Sequence, residues 1–319
     1  MGQLLVMSFD GVSAPAYIRR RLRTGEGAGV ILFAKNAPDP ATLRSLTRSL
    51  QRAASGSAIV ATDQEGGDIR SIAFAGPESS QGVLTTAHAA EQAAGEAAAG
   101  LDAHGINVNL APVADVAIGS ASVVSGRAYG ADAEQVPALV ASAVRAHQDR
   151  GVAATAKHFP GLGAAGANTD DTSVTVASSE QQIASDDLPA FRAALRERVP
   201  LVMASHALYP ALDPDRIASQ SSAVLEELLR GRLGFRGAVI TDSIEAQAVL
   251  DRSGVAEAAV RSVEAGADLV LMTGSGSWNE VYPALLERAR GDERFAARVQ
   301  GAAARVAALR ERLGLAPAR

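Results

Sequence analysis

The chain has 319 residues, 47% of them apolar and 4% aromatic, with 35 acidic against 30 basic side chains and a formal net charge of −5. A net negative charge without a basic run is the wrong footprint for non-specific nucleic-acid binding, and the lack of cysteine excludes disulfides, thiol nucleophiles and cysteine-ligated metals. No apolar run approaches the roughly 18 residues of a membrane span, and Met1–Gly2–Gln3–Leu4–Leu5–Val6 has neither a basic leader nor a small-residue cleavage site; the expected location is cytoplasmic, or exported with the signal segment absent from this chain.

Taken in chain order, short apolar runs alternate with longer amphipathic stretches, the pattern of βαβ units in a parallel sheet. Strands are predicted at residues 3–9, 29–33, 58–62, 107–110, 153–157, 201–205, 238–241 and 268–272. Helices are predicted between them at 40–53, 86–104, 133–150, 179–196, 222–229, 255–265 and 277–290, with a last one at 295–313. Asp39 before Pro40 reads as a cap ahead of a first-turn proline, and Ser178 or Ser179 before Glu180 as another. Arg19–Arg20–Arg21 reads as a solvated helix face. Abundant alanine and glycine predict helices packed closely through small side chains. Eight alternating strands favour a closed (β/α)8 TIM-type barrel over an open doubly wound sheet, with residues 1–319 forming one barrel domain.

In such barrels the chemistry sits at the C-terminal ends of the strands, and polar residues gather there. Strand 3 leads into Asp63–Gln64–Glu65–Gly66–Gly67, where an acid beside two glycines suits backbone that must approach a ligand. Strand 4 leads to Asp115, strand 5 to Lys157–His158–Phe159–Pro160–Gly161, strand 6 to Ser205–His206 and strand 7 to Thr241–Asp242–Ser243. Lys157 and His158 would project to opposite sides of a regular strand, so both reach one ligand only if the chain kinks, and Pro160–Gly161 makes a kink plausible. Singly, Asp115 and His206 read as a cap and a structural histidine. His88, His104 and His147 fall on helical stretches and read as surface or packing residues. Gly274–Ser275–Gly276 after strand 8 offers a competing reading, a phosphate cradle.

These strand ends resemble glycoside hydrolase family 3, in particular its single-domain β-N-acetylglucosaminidases. The resemblance runs over nearly the whole chain: Gly29–Val30–Ile31–Leu32–Phe33 with Asn36, Asp63–Gln64–Glu65–Gly66–Gly67, Ala111–Pro112–Val113–Ala114–Asp115, Ser125–Gly126–Arg127–Ala128–Tyr129–Gly130, Lys157–His158–Phe159–Pro160–Gly161–Leu162–Gly163, His206 with Tyr209–Pro210–Ala211–Leu212–Asp213, and Gly234–Phe235–Arg236–Gly237 leading to Thr241–Asp242. It implies a retaining glycosidase, removing terminal β-linked N-acetylglucosamine or a related β-glycosyl unit, in the setting of cell-wall sugar turnover. Asp242 would be the nucleophile, and Asp63, Arg127, Lys157, His158 and His206 would bind the sugar. The implied partner is a small carbohydrate or muropeptide-like substrate, with no nucleic acid, no cofactor and no metal; the oligomeric state is not implied.

The chain departs from the family pattern in the loop at 164–173. There the single-domain members carry an aspartate–serine–histidine triplet whose histidine is the acid/base, and this loop has no histidine. Leu162 replaces the motif's second histidine, Asp68 stands where an arginine is common, and Ser243 replaces an acid. Asp170 or Asp171 is therefore the candidate acid/base of a two-carboxylate retaining site. The alternatives are an enzyme confined to good leaving groups and a sugar-binding barrel that has lost catalysis.

Overall fold

The computed structural model describes residues 1–318. Eight strands, β1 (Leu5–Met7), β2 (Gly29–Ile31), β3 (Ile59–Thr62), β4 (Val108–Asn109), β5 (Ala153–Phe159), β6 (Leu201–Ala204), β7 (Ala238–Ser243) and β8 (Leu269–Leu271), close into a barrel. Every pairing is parallel and joins neighbours in chain order, and β1 pairs with both β2 and β8. This is the predicted (β/α)8 fold.

The strands read as unbroken apolar runs because both of their faces are buried. Alternate side chains separate into two layers. Val6, Ile31, Ile59, Ala61, Ile240, Leu269 and Leu271 fill the barrel interior, while Val60, Val239 and Val270 pack outward against the helices. At ~1.5–3 kcal/mol for each large aliphatic side chain removed from water, this double burial fixes strand register, since a one-residue slip would exchange the two layers.

Local signals set the helix ends. Asp39 Oδ1 accepts from the N–H groups of Ala41 and Thr42 at 2.9 Å, with Pro40 in the first turn of Pro40–Ala53. Ser179 forms a reciprocal cap with Gln182. The Ala87–Asp102 helix buries Ala90, Ala94, Ala97 and Ala98, as its composition predicts. The last helix, Glu293–Arg312, sends Val306 and Leu309 into the interior layer at the barrel's N-terminal end, and Arg310 donates to the carbonyls of Ala28 and Ser57 there.

The structure adjusts the sequence reading in three places. Strand β5 continues to Phe159, two residues past its predicted end. Two short hairpins, Gln64–Gly66 with Ile69–Arg70 and Leu208–Tyr209 with Asp213–Ile217, lie in what read as loops. The Arg19–Arg20–Arg21 run belongs to the helix Ala16–Arg23, but Arg21 is not solvated: its guanidinium stacks 3.7 Å from the Trp278 ring centroid and donates to Asn279.

Candidate active site

The strand ends of β3, β5 and β7 converge on one hollow of about 450 Å3, whose wall includes Asp63, Arg127, Lys157, His158, Asp170 and Asp242. A continuous hollow of about 360 Å3 shares Asp63, Asp170 and Asp242 with it and extends toward Glu245 and Thr273. The Lys157–His158 and Phe159–Pro160 peptides are cis, and both Lys157 and His158 face the hollow.

Lys157 is a buried cation on β5, and it is matched twice. Its Nζ lies 2.7 Å from Asp63 Oδ1 and 2.7 Å from Glu65 Oε1. Arg127 grips the same Glu65 through two bonds, Nε to Oε2 at 2.9 Å and Nη2 to Oε1 at 2.7 Å, the planar fork that suits a carboxylate. Burial alone would raise the Glu65 pKa, but Lys157 and Arg127 outweigh it and hold the carboxyl at about 2. Burial likewise opposes the charge on Lys157, and Asp63 and Glu65 overturn it, keeping the ammonium protonated.

His158 is aimed from behind. Asp115, fully buried, takes the His158 backbone N–H at 3.0 Å and that of Leu162 at 2.8 Å on Oδ1, while Oδ2 lies 2.7 Å from His158 Nδ1. A carboxylate only accepts, so Nδ1 carries the proton and Nε2 is left toward Asp242, 4.0 Å away.

Asp242 sits at the end of β7, with Oδ1 accepting the Ser243 N–H at 2.8 Å. Burial pushes its pKa up, but His158, His206 and Lys157 more than offset this and hold it below the ordinary aspartate value. Asp170 moves the other way: the residue is exposed to solvent, but partial burial of its carboxyl and then the Asp242 charge raise its pKa. Asp170 is carried by the loop at 164–173, which docks on the start of the short helix Gln247–Leu250 that follows β7. Gln247 N–H donates to the Asp170 carbonyl at 3.1 Å, Ala248 N–H to that of Thr169 at 3.0 Å, and Ser173 Oγ to Asp251 at 2.8 Å. Asn168 bonds both the Asp170 backbone N–H and its carboxylate.

Of the residues singled out from sequence, Asp63, Arg127, Lys157, His158, Asp170 and Asp242 face the hollow. Asp171 is exposed and does not line it. His206 is buried behind Asp242 with both ring nitrogens occupied, Nδ1 by Ser219 Oγ at 2.7 Å and Nε2 by the Ser243 carbonyl at 2.9 Å, and burial lowers its pKa. His104 and His147 are packing residues and His88 is exposed, as read. The Gly274–Ser275–Gly276 turn packs against Glu245 and bonds Asp10, two carboxylates that would repel a phosphate. Two further residues shape the site, Glu65 and Asp115. Glu65 stands two places after Asp63, the spacing that returns a strand side chain to the same face; a buried lysine needing counter-charge was the available signal. Asp115, at the end of an apolar run, orients His158 instead of capping a helix.

Comparison with known proteins bears on this geometry. The family model described as "Glycosyl hydrolase family 3 N terminal domain" matches residues 1–309. An Arthroderma benhamiae protein named an uncharacterized secreted glycosyl hydrolase is 33% identical over 98% of this chain and 92% of its own length. A β-hexosaminidase of Nitrosomonas eutropha is 33% identical over 84% of this chain and 80% of its own. Among solved structures, a glycoside hydrolase family 3 β-N-acetylglucosaminidase from Paenibacillus superposes with a TM-score of 0.93 at 35% identity, over 98% of this chain and 62% of that longer one. A β-N-acetylhexosaminidase from Beutenbergia cavernae gives 0.88 at 32% identity, over 97% of each.

Proposed function

The chain belongs to glycosyl hydrolase family 3, and on that footing we propose that it is a retaining glycosidase that removes terminal β-linked N-acetylglucosamine, acting as one catalytic barrel over residues 1–319. The substrate class is carried by the relatives named above as β-hexosaminidases and β-N-acetylglucosaminidases. Turnover of cell-wall sugars is the proposed setting, and it rests on family likeness alone.

One observation supports the mechanism most: two carboxyl groups, Asp242 and Asp170, border a single hollow with their pKa values displaced in opposite directions. A pair so separated supplies one ionised and one protonated carboxyl at the same pH. Asp242 attacks the anomeric carbon as the glycosidic C–O bond breaks, and Asp170 gives its proton to the departing oxygen. Water, losing a proton to Asp170, then attacks the anomeric carbon and releases Asp242, so the configuration is retained. Asp63, Lys157, Arg127 and His158 would take the sugar hydroxyls, and contacts that tighten toward an oxocarbenium-like transition state add rate.

The test is hydrolysis of an aryl N-acetyl-β-glucosaminide, followed by NMR of the first-formed anomer. The β-anomer appears first, and Asp242→Asn abolishes turnover without changing the melting temperature. Equal background release by both proteins would end the catalytic reading. The loss of histidine from the loop at 164–173 favours one second reading, a sugar-binding barrel without turnover; in that case N-acetylglucosamine raises the melting temperature and aryl product never exceeds the Asp242→Asn level.

A further inference from the structure

The opposite end of the barrel carries a second concavity. It lies where Pro200 leads into β6 and Gly237 into β7, and it encloses about 650 Å3. Three segments build its wall. Arg192 and Arg196 come from the helix Leu188–Arg196, with Arg198 just beyond it. Arg232 and Arg236 come from the segment before β7, and Arg305 and Arg312 from the last helix. Leu195, Val199, Phe235 and Leu309 supply an apolar floor, and among the described residues no aspartate or glutamate lines the wall.

Seven guanidinium groups around one hollow are out of keeping with a chain whose net charge is −5. Arg232 pairs with Glu180 at 2.6 Å and Arg305 with Asp268 at 3.2 Å. The other five have no carboxylate within ion-pair distance among the described residues. Six of the seven arginines are exposed, so water and salt screen their mutual repulsion, and Arg236 already donates to the Arg230 and Phe235 carbonyls and Arg312 to Gln148; an anion in the hollow would still be attracted to a wall of one sign. Guanidinium presents paired N–H donors that match phosphate oxygens two at a time. The volume falls in the range of small-molecule sites, and the apolar floor can carry the uncharged body of a ligand.

We propose that this arginine-lined hollow binds a small ligand with clustered phosphate groups, a polyphosphate or a nucleoside polyphosphate, at the face remote from the sugar site. Binding follows ion pairing, so it weakens as salt is added. It does not depend on whether the other hollow cleaves glycosides.

The experiment is calorimetric titration of the full chain at low ionic strength with tripolyphosphate, ATP and adenosine. Tripolyphosphate and ATP bind at one site per chain, and adenosine does not. ATP tighter than tripolyphosphate assigns the floor to the nucleoside; equal affinities assign the site to phosphate alone. The variant Arg192→Ser/Arg196→Ser/Arg198→Asn loses at least tenfold in affinity while keeping its melting temperature and its action on the aryl glycoside. Asparagine suits position 198, where the backbone is left-handed at φ 56°. If the triple variant does not fold, Arg196→Ser alone is the test, with a loss of several-fold. No saturable binding, an unchanged affinity in the folded variant, or displacement of tripolyphosphate by N-acetylglucosamine would overturn the proposal. Binding to vesicles containing phosphatidylserine without binding to tripolyphosphate would overturn it as well.

Discussion

Asp170 and Glu65 both line the hollow with Asp63 and Lys157, yet their surroundings give them opposite characters. Asp170 has Asp242 as its neighbour and no cation in contact, so it holds its proton above the usual aspartate range. As a general acid it works while protonated, and activity falls as pH rises through its folded pKa. Asp170→Asn should remove that alkaline limb and lower kcat/KM for alkyl glycosides by ~10²–10⁴-fold. Aryl glycosides with good leaving groups should suffer far less in the first step, and kcat/KM measured against pH for both substrates checks this; equal losses for both would leave Asp170 no part in proton transfer. Glu65 has two cations in contact and titrates at about 2. Its folded pKa lies below the unfolded value of 4.5, so its stabilisation is present above that value and is lost as pH falls toward 2. Glu65→Ala leaves Lys157 and Arg127 with one shared anion fewer in a buried place, and the expected cost is ~3–5 kcal/mol in chemical denaturation at neutral pH.

At the scale of elements, the site depends on loops braced by loops. The segment at 164–173 is fixed to the start of the helix Gln247–Leu250 by two backbone hydrogen bonds and by Ser173 to Asp251. Ser173 is exposed and lies away from both hollows, so its bond positions Asp170 without touching substrate. Ser173→Ala releases this tether, and because the bond is exposed and water can replace it, the expected result is a modest fall in kcat/KM at an unchanged melting temperature. The effect should be confined to alkyl glycosides, the substrates that need the acid; an effect of the same size on aryl glycosides would assign the bond to general stability instead. The barrel strands were legible because each is buried on both faces and reads as an apolar run, and Asp39 and Ser179 announced their helices through side chains that accept backbone donors. The hairpin Gln64–Gly66 with Ile69–Arg70 was not legible, since Glu65 in its first strand pairs with Lys157 and Arg127 from distant parts of the chain. Asp63, Lys157, His158 and Asp242 could be read from their strand-end positions. The roles of Glu65 and Asp115 could not, because each is set by the side chain it meets from a distant strand or loop, Lys157 and Arg127 for Glu65 and His158 for Asp115. Arg21 misled because a guanidinium stacked on an indole looks, in sequence, like any exposed arginine.

For the whole molecule, charge is sorted along the barrel axis: carboxylates and their partners crowd the C-terminal mouth, and arginines line the N-terminal hollow. The C-terminal end also buries one acid that nothing balances. Asp187 is 1% exposed, both of its carboxyl oxygens lack a hydrogen-bond partner, and a methyl placed on Gly161 would lie 2.3 Å from its carboxyl carbon. Burial first, then Asp115 and Asp186, push its pKa up to about 8. In the unfolded chain the same group titrates near 3.8, so folding takes up a proton between those limits. The stability it permits is complete below the unfolded value and is lost as pH rises through the folded one. Within that window each pH unit removes about 1.4 kcal/mol, an upper limit if the site relaxes or admits water. Asp187→Asn keeps the shape and cannot ionise. Its unfolding free energy should match the parent near pH 4 and exceed it progressively toward pH 8, when both are measured by urea denaturation. If the two curves stay parallel across that range, Asp187 is ionised in the folded protein, and the alkaline loss of stability must come from another group.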